Sequence, residues 1–154
     1  MGFQFMAHSF SNLLIHVVFS TKDWRPLIRP EIEIKIHSHI KKCLSDLDCK
    51  AIAVNGTENH LHILFNQNPN RGTAEIIKNI KGNSSHWINQ NNLLLNKFAW
   101  QVGYAAFSVS ESQINNVARY ICNQKEHHKK LSFKEESCNW INHYFYLLKL
   151  CIKY

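Results

Sequence analysis

Asn59-His60-Leu61-His62-Ile63-Leu64-Phe65 is the stretch from which the rest of the sequence is best read. Asn55-Gly56 on one side and Asn66-Gln67-Asn68-Pro69 on the other are turn-forming clusters, and they delimit a short strand. Alternate side chains of a strand share a face, so His60 and His62 point one way while Leu61, Ile63 and Phe65 point the other. Two imidazoles side by side above an apolar underside suit a divalent metal at a sheet surface. Spacing alone does not decide it, because a solvated or hydrogen-bonded strand pair is the commoner outcome for a His-x-His. The chain holds a second such triplet, His37-Ser38-His39, and it reads differently. There Ile32, Ile36, Ile40, Leu44 and Leu47 recur at helical spacing, which rotates His37 and His39 roughly 200° apart and keeps them from converging on one ion.

Working outward, Leu13-Leu14-Ile15-His16-Val17-Val18-Phe19 is short, apolar and rich in β-branched residues, as expected of a buried central strand. His16 interrupts it, either as a satisfied core histidine or as a group supporting the metal from behind. The polar loop from Thr21 to Pro26 carries Lys22, Trp24 and Arg25, cations and an indole of the kind that neutralise and stack single-stranded nucleic acid. A helix is predicted over Pro30–Leu47, then a strand over Lys50–Val54 that Asn55-Gly56-Thr57-Glu58 folds back onto the histidine strand. Thr73–Gln90 reads as a second helix with a bend or break expected near Lys81-Gly82, and with Lys78 and Lys81 on one face where they either meet phosphates or lie in solvent. Further strands are predicted over Phe98–Gln101 and Tyr104–Val109.

Ser110-Glu111-Ser112-Gln113 has the form of a capping box, in which Ser110 accepts from the Gln113 amide and opens a helix. Ile114, Val117, Ala118 and Ile121 then form one buried stripe, while Gln113, Asn116, Tyr120, Gln124 and His127 form a neighbouring one. The order strand, helix, strand, strand, helix, strand, helix predicts an α+β fold on the ferredoxin-like split βαβ plan. Its antiparallel sheet carries helices largely on one face and leaves the other available for a site.

The length of 154 residues predicts a single domain that buries about two-thirds of its unfolded surface, without needing staples. Eighteen Lys and Arg against eleven Asp and Glu give a net charge of +7, which favours a polyanionic partner, nucleic acid before an anionic membrane. The five cysteines, Cys43, Cys49, Cys122, Cys138 and Cys151, include no Cys-x-x-Cys and read as reduced thiols of a cytoplasmic protein. The first residues lack the pattern of a signal peptide, and no apolar run is long enough to predict a membrane span.

Three separated motifs in order carry a resemblance. His60-Leu61-His62, then Trp100-Gln101-Val102-Gly103-Tyr104-Ala105-Ala106-Phe107-Ser108-Val109-Ser110, then Tyr120-Ile121-Cys122-Asn123-Gln124-Lys125-Glu126-His127-His128 resemble the HUH-type single-tyrosine transposases of the insertion sequence 200/605 family. His16-Val17-Val18-Phe19-Ser20-Thr21-Lys22 fits the same pattern, and the likeness runs from about residue 12 to 136. The resemblance implies that His60, His62 and Gln124 hold a divalent metal, Mg2+ or Mn2+, and that Tyr120 is the nucleophile. It implies cleavage and rejoining of single-stranded DNA through a 5′-phosphotyrosine, on substrates with hairpin ends. It also implies a homodimer in which the tyrosine helix of one subunit can complete the other's site. Lys22, Arg25, Lys78, Lys81, Lys129 and Lys130 are candidate DNA contacts. The aromatic tail over residues 137–154 departs from the family's pattern. Readings of other classes are a catalytically inactive or domesticated protein that binds single-stranded DNA or hairpins, and a metallohydrolase that uses the histidines and water without Tyr120.

Overall fold

The computed structural model describes residues 10–129 and Glu135, so Lys130 and the tail over 137–154 lie outside the described residues. The chain divides into two compact units with the boundary after Cys122.

The first unit holds strands β1 (Leu14–Ser20), β2 (Lys50–Gly56), β3 (His60–Asn66) and β4 (Ala105–Ser108). It also holds helices α1 (Pro30–Asp46), α2 (Thr73–Gln90) and α3 (Ile114–Cys122). The strands form one sheet in the order β2-β3-β1-β4 with every neighbouring pair antiparallel, which is the split βαβ plan. The apolar run at Leu14–Ser20 is a central strand, as its composition predicts, flanked by β3 and β4.

One face of the sheet carries the main core. Val17 and Phe19 of β1 and Leu61, Ile63 and Phe65 of β3 pack there with Ile36, Ile40 and Leu44 of α1 and Ile76, Ile77 and Ile80 of α2. Pro30 opens α1 with its ring preset for a first helical turn, and Glu31 and Glu33 place negative charge at the positive end of the helix. α2 runs unbroken through Gly82, where a bend or break was expected from glycine's weak helix propensity and no break occurs. Buried Ile80, Ser84 and Ile88 on either side anchor it, and Trp100 Nε1 donates to Ser84 Oγ at 2.9 Å. Tertiary packing outweighs the roughly 1 kcal/mol cost of one glycine.

The opposite face is thinner. There Ala53 and Leu64 pack with Ile121, and Ile114, Val117, Ala118 and Tyr120 of α3 complete the cluster. The buried stripe predicted for this helix is therefore the stripe that docks. A β-bulge between Ala51 and Ala53 puts these two residues on opposite faces, since Ala51 pairs with Phe65 but Ala53 with Leu64, Val54 with Ile63 and Asn55 with His62.

Two local expectations are corrected. Phe98–Gln101 forms no strand, only an isolated bridge from Trp100 to Thr21. Side chains take the backbone groups a ladder would use: Asn89 bonds both the N–H and the C=O of Phe98, at 2.8 and 3.0 Å. The Lys81 ammonium donates to the carbonyls of Gln101 and Gly103, at 2.7 and 2.6 Å. The capping box also does not form. Gln113 N–H donates to the backbone carbonyl of Ser110 at 2.9 Å in a 3-10 turn over Glu111–Gln113, and the Gln113 side chain instead accepts from Asn116.

In the second unit, α4 (Gln124–His127) follows Asn123. The helical run predicted from Ser110 onward is thus interrupted at Asn123, between Tyr120 and Gln124. Within the first unit, Asn55 Nδ2 donates to the carbonyls of Ile121 and Cys122 at 3.0 and 2.8 Å, giving a side-chain partner to acceptors a helix end leaves over.

Candidate active site

β3 begins at His60 because the chain turns there at close quarters. A Cβ on Gly56 would stand 2.1 Å from the His60 carbonyl oxygen, so only glycine admits this approach. Beyond the turn the alternation of the strand holds: Leu61, Ile63 and Phe65 enter the main core, while His60, His62 and Leu64 face α3. Both histidines are fully buried. Their ring centroids lie 5.1 Å apart with planes at 72°.

Each ring is held through Nδ1. His60 Nδ1 lies 2.7 Å from Asn59 Oδ1 and 2.9 Å from Thr57 Oγ1, and the Thr57 hydroxyl also donates to Asn59 Oδ1. An amide oxygen only accepts, so the His60 proton sits on Nδ1 and the lone pair on Nε2. His62 Nδ1 lies 3.0 Å from His16 Nε2, and the two rings stack at 5.3 Å and 22°. Burial pushes the His16 imidazole down to about 4, so this ring is neutral near pH 7.

α3 brings Tyr120 onto the same face. Its ring stands 5.6 Å from His62 and 6.3 Å from His16, edge-on to both at 84° and 79°. His16, His60, His62 and Tyr120, from three elements, thus form one cluster. Gln124 is buried and opens α4 in the second unit. Among the described residues, His, Cys, Asp and Glu form no group of three placed to hold an ion, so a metal here needs oxygen ligands in addition to the two imidazoles.

The candidate DNA contacts are dispersed. Lys22 and Arg25 are exposed on the loop after β1, which Thr21 ties to the start of β3 through its N–H on the Asn59 carbonyl at 2.9 Å. Trp24 is half exposed there, and both Asp23 and Trp24 adopt left-handed backbone with φ of 56° and 54°. The Asp23 N–H donates to Gln101 Oε1 at 2.9 Å. Lys78 is exposed on α2. Lys81 spends two donors on the Gln101 and Gly103 carbonyls and lies 5.5 Å from the Phe19 ring, with burial lowering its pKa. In the second unit, Lys129 pairs with Glu126 at 2.7 Å on an exposed surface.

Sequence reasoning missed Asn59, Thr57 and Asn55. Their signal was adjacency, since all three border the histidine strand with short side chains that can bond nearby polar groups.

Residues 9–124 match the family model of IS200-like transposases. The chain belongs to this family. The match includes His60, His62 and Tyr120 and ends at Gln124. None of the curated proteins matches the chain. Among solved structures, an IS200-like transposase fold is shared with a candidate transposase from Deinococcus radiodurans R1, at 19% identity and a TM-score of 0.62 over 75% of this chain and 93% of that one. It is shared too with a REP-associated tyrosine transposase bound to a REP hairpin, at 13% identity and a TM-score of 0.61 over 85% of this chain and 76% of that one. Among the described residues of this transposase, no helix is long and apolar enough to cross a membrane.

Proposed function

We propose that this chain is a single-tyrosine HUH transposase that cuts and rejoins single-stranded DNA with Tyr120 as nucleophile. The observation that carries the reading is the Tyr120 ring 5.6 Å from His62, itself 5.1 Å from His60, on one face of the sheet. The phenol oxygen of Tyr120 attacks the scissile phosphorus, the P–O bond to the 3′ oxygen breaks, and a 5′-phosphotyrosine and a free 3′-hydroxyl result. One phosphoester replaces another, so a later 3′-hydroxyl rejoins the strand by the reverse displacement and frees Tyr120, with no nucleotide hydrolysis.

The donor set fits a divalent ion. His60 keeps its proton on Nδ1, so Nε2 carries the lone pair, and a second imidazole stands beside it on the same buried face. His60 and His62 would hold it, and the assignment of Gln124 as third ligand rests on the family resemblance. When bound, Mn2+ or Mg2+ supplies Lewis-acid polarisation of the phosphate, and imidazole ligands suit Mn2+ better. The protein's own part is to hold the two rings through Asn59, Thr57 and His16, and to seat the tyrosine ring edge-on against them.

The substrate we propose is single-stranded DNA with hairpin ends, since a solved neighbour of the same fold holds a REP hairpin. The +7 charge and exposed Lys22, Arg25 and Lys78 supply phosphate contacts, and the Trp24 indole supplies a stacking surface beside the start of β3. We also propose a homodimer with the tyrosine helix able to act in trans, and cytoplasmic action in keeping with the free thiols of Cys43, Cys49 and Cys122.

The test incubates the protein and Mn2+ with end-labelled single-stranded DNA carrying a terminal hairpin and resolves the products on a denaturing gel. A covalent adduct that is absent from Tyr120→Phe is the expected result. Binding with no adduct would point to an inactive hairpin-binding protein, and cleavage that survives Tyr120→Phe to a water-using metallohydrolase. Mixing Tyr120→Phe with His62→Ala subunits tests the trans arrangement, which predicts that the mixture regains adduct formation that neither variant shows alone.

A further inference from the structure

A histidine in the middle of a buried strand needs a partner, because an imidazole taken out of water without a hydrogen bond costs stability. His16 stands in the apolar run of β1, a strand fixed by hydrogen bonds to β3 on one side and β4 on the other. Its Nε2 meets His62 Nδ1 at 3.0 Å. Phe107 of β4, directly across from it in register, packs its ring 6.0 Å away. The ring so constrained packs against both a proposed metal ligand and the proposed nucleophile.

We propose that His16 is a positioning residue: it locks His62 into the tautomer that presents Nε2 for metal binding and forms one wall of the seat for the Tyr120 ring. This rests on the strand-transfer reading of the site and adds a role for a residue that touches neither metal nor DNA in that reading. The direction of one hydrogen bond carries it. An imidazole that ligates through Nε2 carries its proton on Nδ1. His62 Nδ1–H must then donate to His16 Nε2, and His16 keeps its own proton on Nδ1. The reverse direction would make His62 Nδ1 the acceptor and put the His62 proton on Nε2, where it blocks ligation. His60 meets the same need with an amide, since its Nδ1–H donates to Asn59 Oδ1. The two proposed ligands are thus oriented by different chemistries, a turn amide for one and a core imidazole for the other.

Two measurements test this on the full chain. Mn2+ affinity is determined by calorimetry for the unaltered protein, His16→Leu and His16→Gln, with thermal unfolding alongside. His16→Leu, which fills space but cannot accept, is expected to weaken Mn2+ binding about 10–100-fold. His16→Gln, whose Oε1 can accept from His62 Nδ1–H, is expected to restore most of that loss. Equal affinity in His16→Leu and the unaltered protein overturns the inference and leaves the strand-transfer reading standing. A folded His16→Gln as weak as His16→Leu overturns it as well. An unaltered protein that binds no Mn2+ overturns the reading beneath it and this inference together. The second measurement needs no variant: nitrogen-15 spectra of the imidazoles in the metal-free protein are expected to show His62 protonated at Nδ1, and protonation at Nε2 would refute the lock even if the variants do not fold.

Discussion

The protein carries two His-x-His triplets, and they end in different chemistry. His60 and His62, on a strand, share a buried face with ring centroids 5.1 Å apart. His37 and His39 lie two residues apart on α1, roughly 200° around the helix. His39 lies flat on Trp87 of α2 at 4.3 Å and 9°, and burial lowers its pKa. The same three-letter motif makes a candidate metal site in one place and a helix–helix contact in the other. What separates them is the backbone period, two residues against 3.6, and the partners that each turn of backbone brings within reach.

The contrast breaks first at the strand pair. Replacing His60 or His62 with Ala is expected to reduce Mn2+-dependent adduct formation by at least about 100-fold, whereas the double variant His37→Ala with His39→Ala keeps nearly full activity in the same gel assay. Comparable losses in both would mean that the strand geometry does not select the functional pair. A smaller effect is expected one layer out. Asn59→Ala removes the amide acceptor for His60 Nδ1–H, leaving the Thr57 hydroxyl beside it, and should weaken Mn2+ binding about 10-fold by calorimetry, with adduct formation recovering at high Mn2+.

The two lysines that share a face of α2 sharpen the comparison further. Lys81→Met loses two charge-assisted hydrogen bonds to the Gln101 and Gly103 carbonyls, and a stability loss of about 1–3 kcal/mol is expected in chemical denaturation. Lys78→Ala should leave stability unchanged and reduce the salt dependence of DNA binding by about one phosphate contact. A reversed outcome would make Lys81 the phosphate contact and Lys78 the structural one. The smallest change is at the helix pair: His39→Ala is expected to cost about 0.5–1.5 kcal/mol through the lost stack on Trp87, with cleavage untouched.

Much of this arrangement is legible in the sequence because it follows from short-range periodicity. Alternation over Leu61–Phe65 places the histidines, and the spacing of Ile114, Val117, Ala118 and Ile121 gives α3 its docking stripe. The strand and helix order yields the sheet plan. The parts that escaped depend on partners distant in the chain. Asn89 is next to nothing that announces a bond to Phe98, and nothing near Ile121 signals that Asn55 takes its carbonyl. Ser110 and Gln113 satisfy a capping pattern on paper, yet the backbone closes a tighter turn and leaves both side chains to other bonds. The contact between His16 and His62 crosses two strands, and only the antiparallel register of β1 with β3 brings it about.

The extra residue at Ile52 has a consequence for how β2 counts. In an uninterrupted strand every odd-numbered side chain from Cys49 to Asn55 would look the same way. With Cys49 and Ala51 committed to the α1 side, Asn55 would be lost to it too, and the carbonyls at the end of α3 would have no amide to grip. One surplus residue resets odd to even halfway along, so a single strand supplies cement at one end and a latch at the other. Deleting Ile52 would leave the pairing with β3 as it is, whereas drawing Ile52 into the ladder would turn Ala53 and Asn55 to the α1 side, and the tyrosine helix would be the part to come loose.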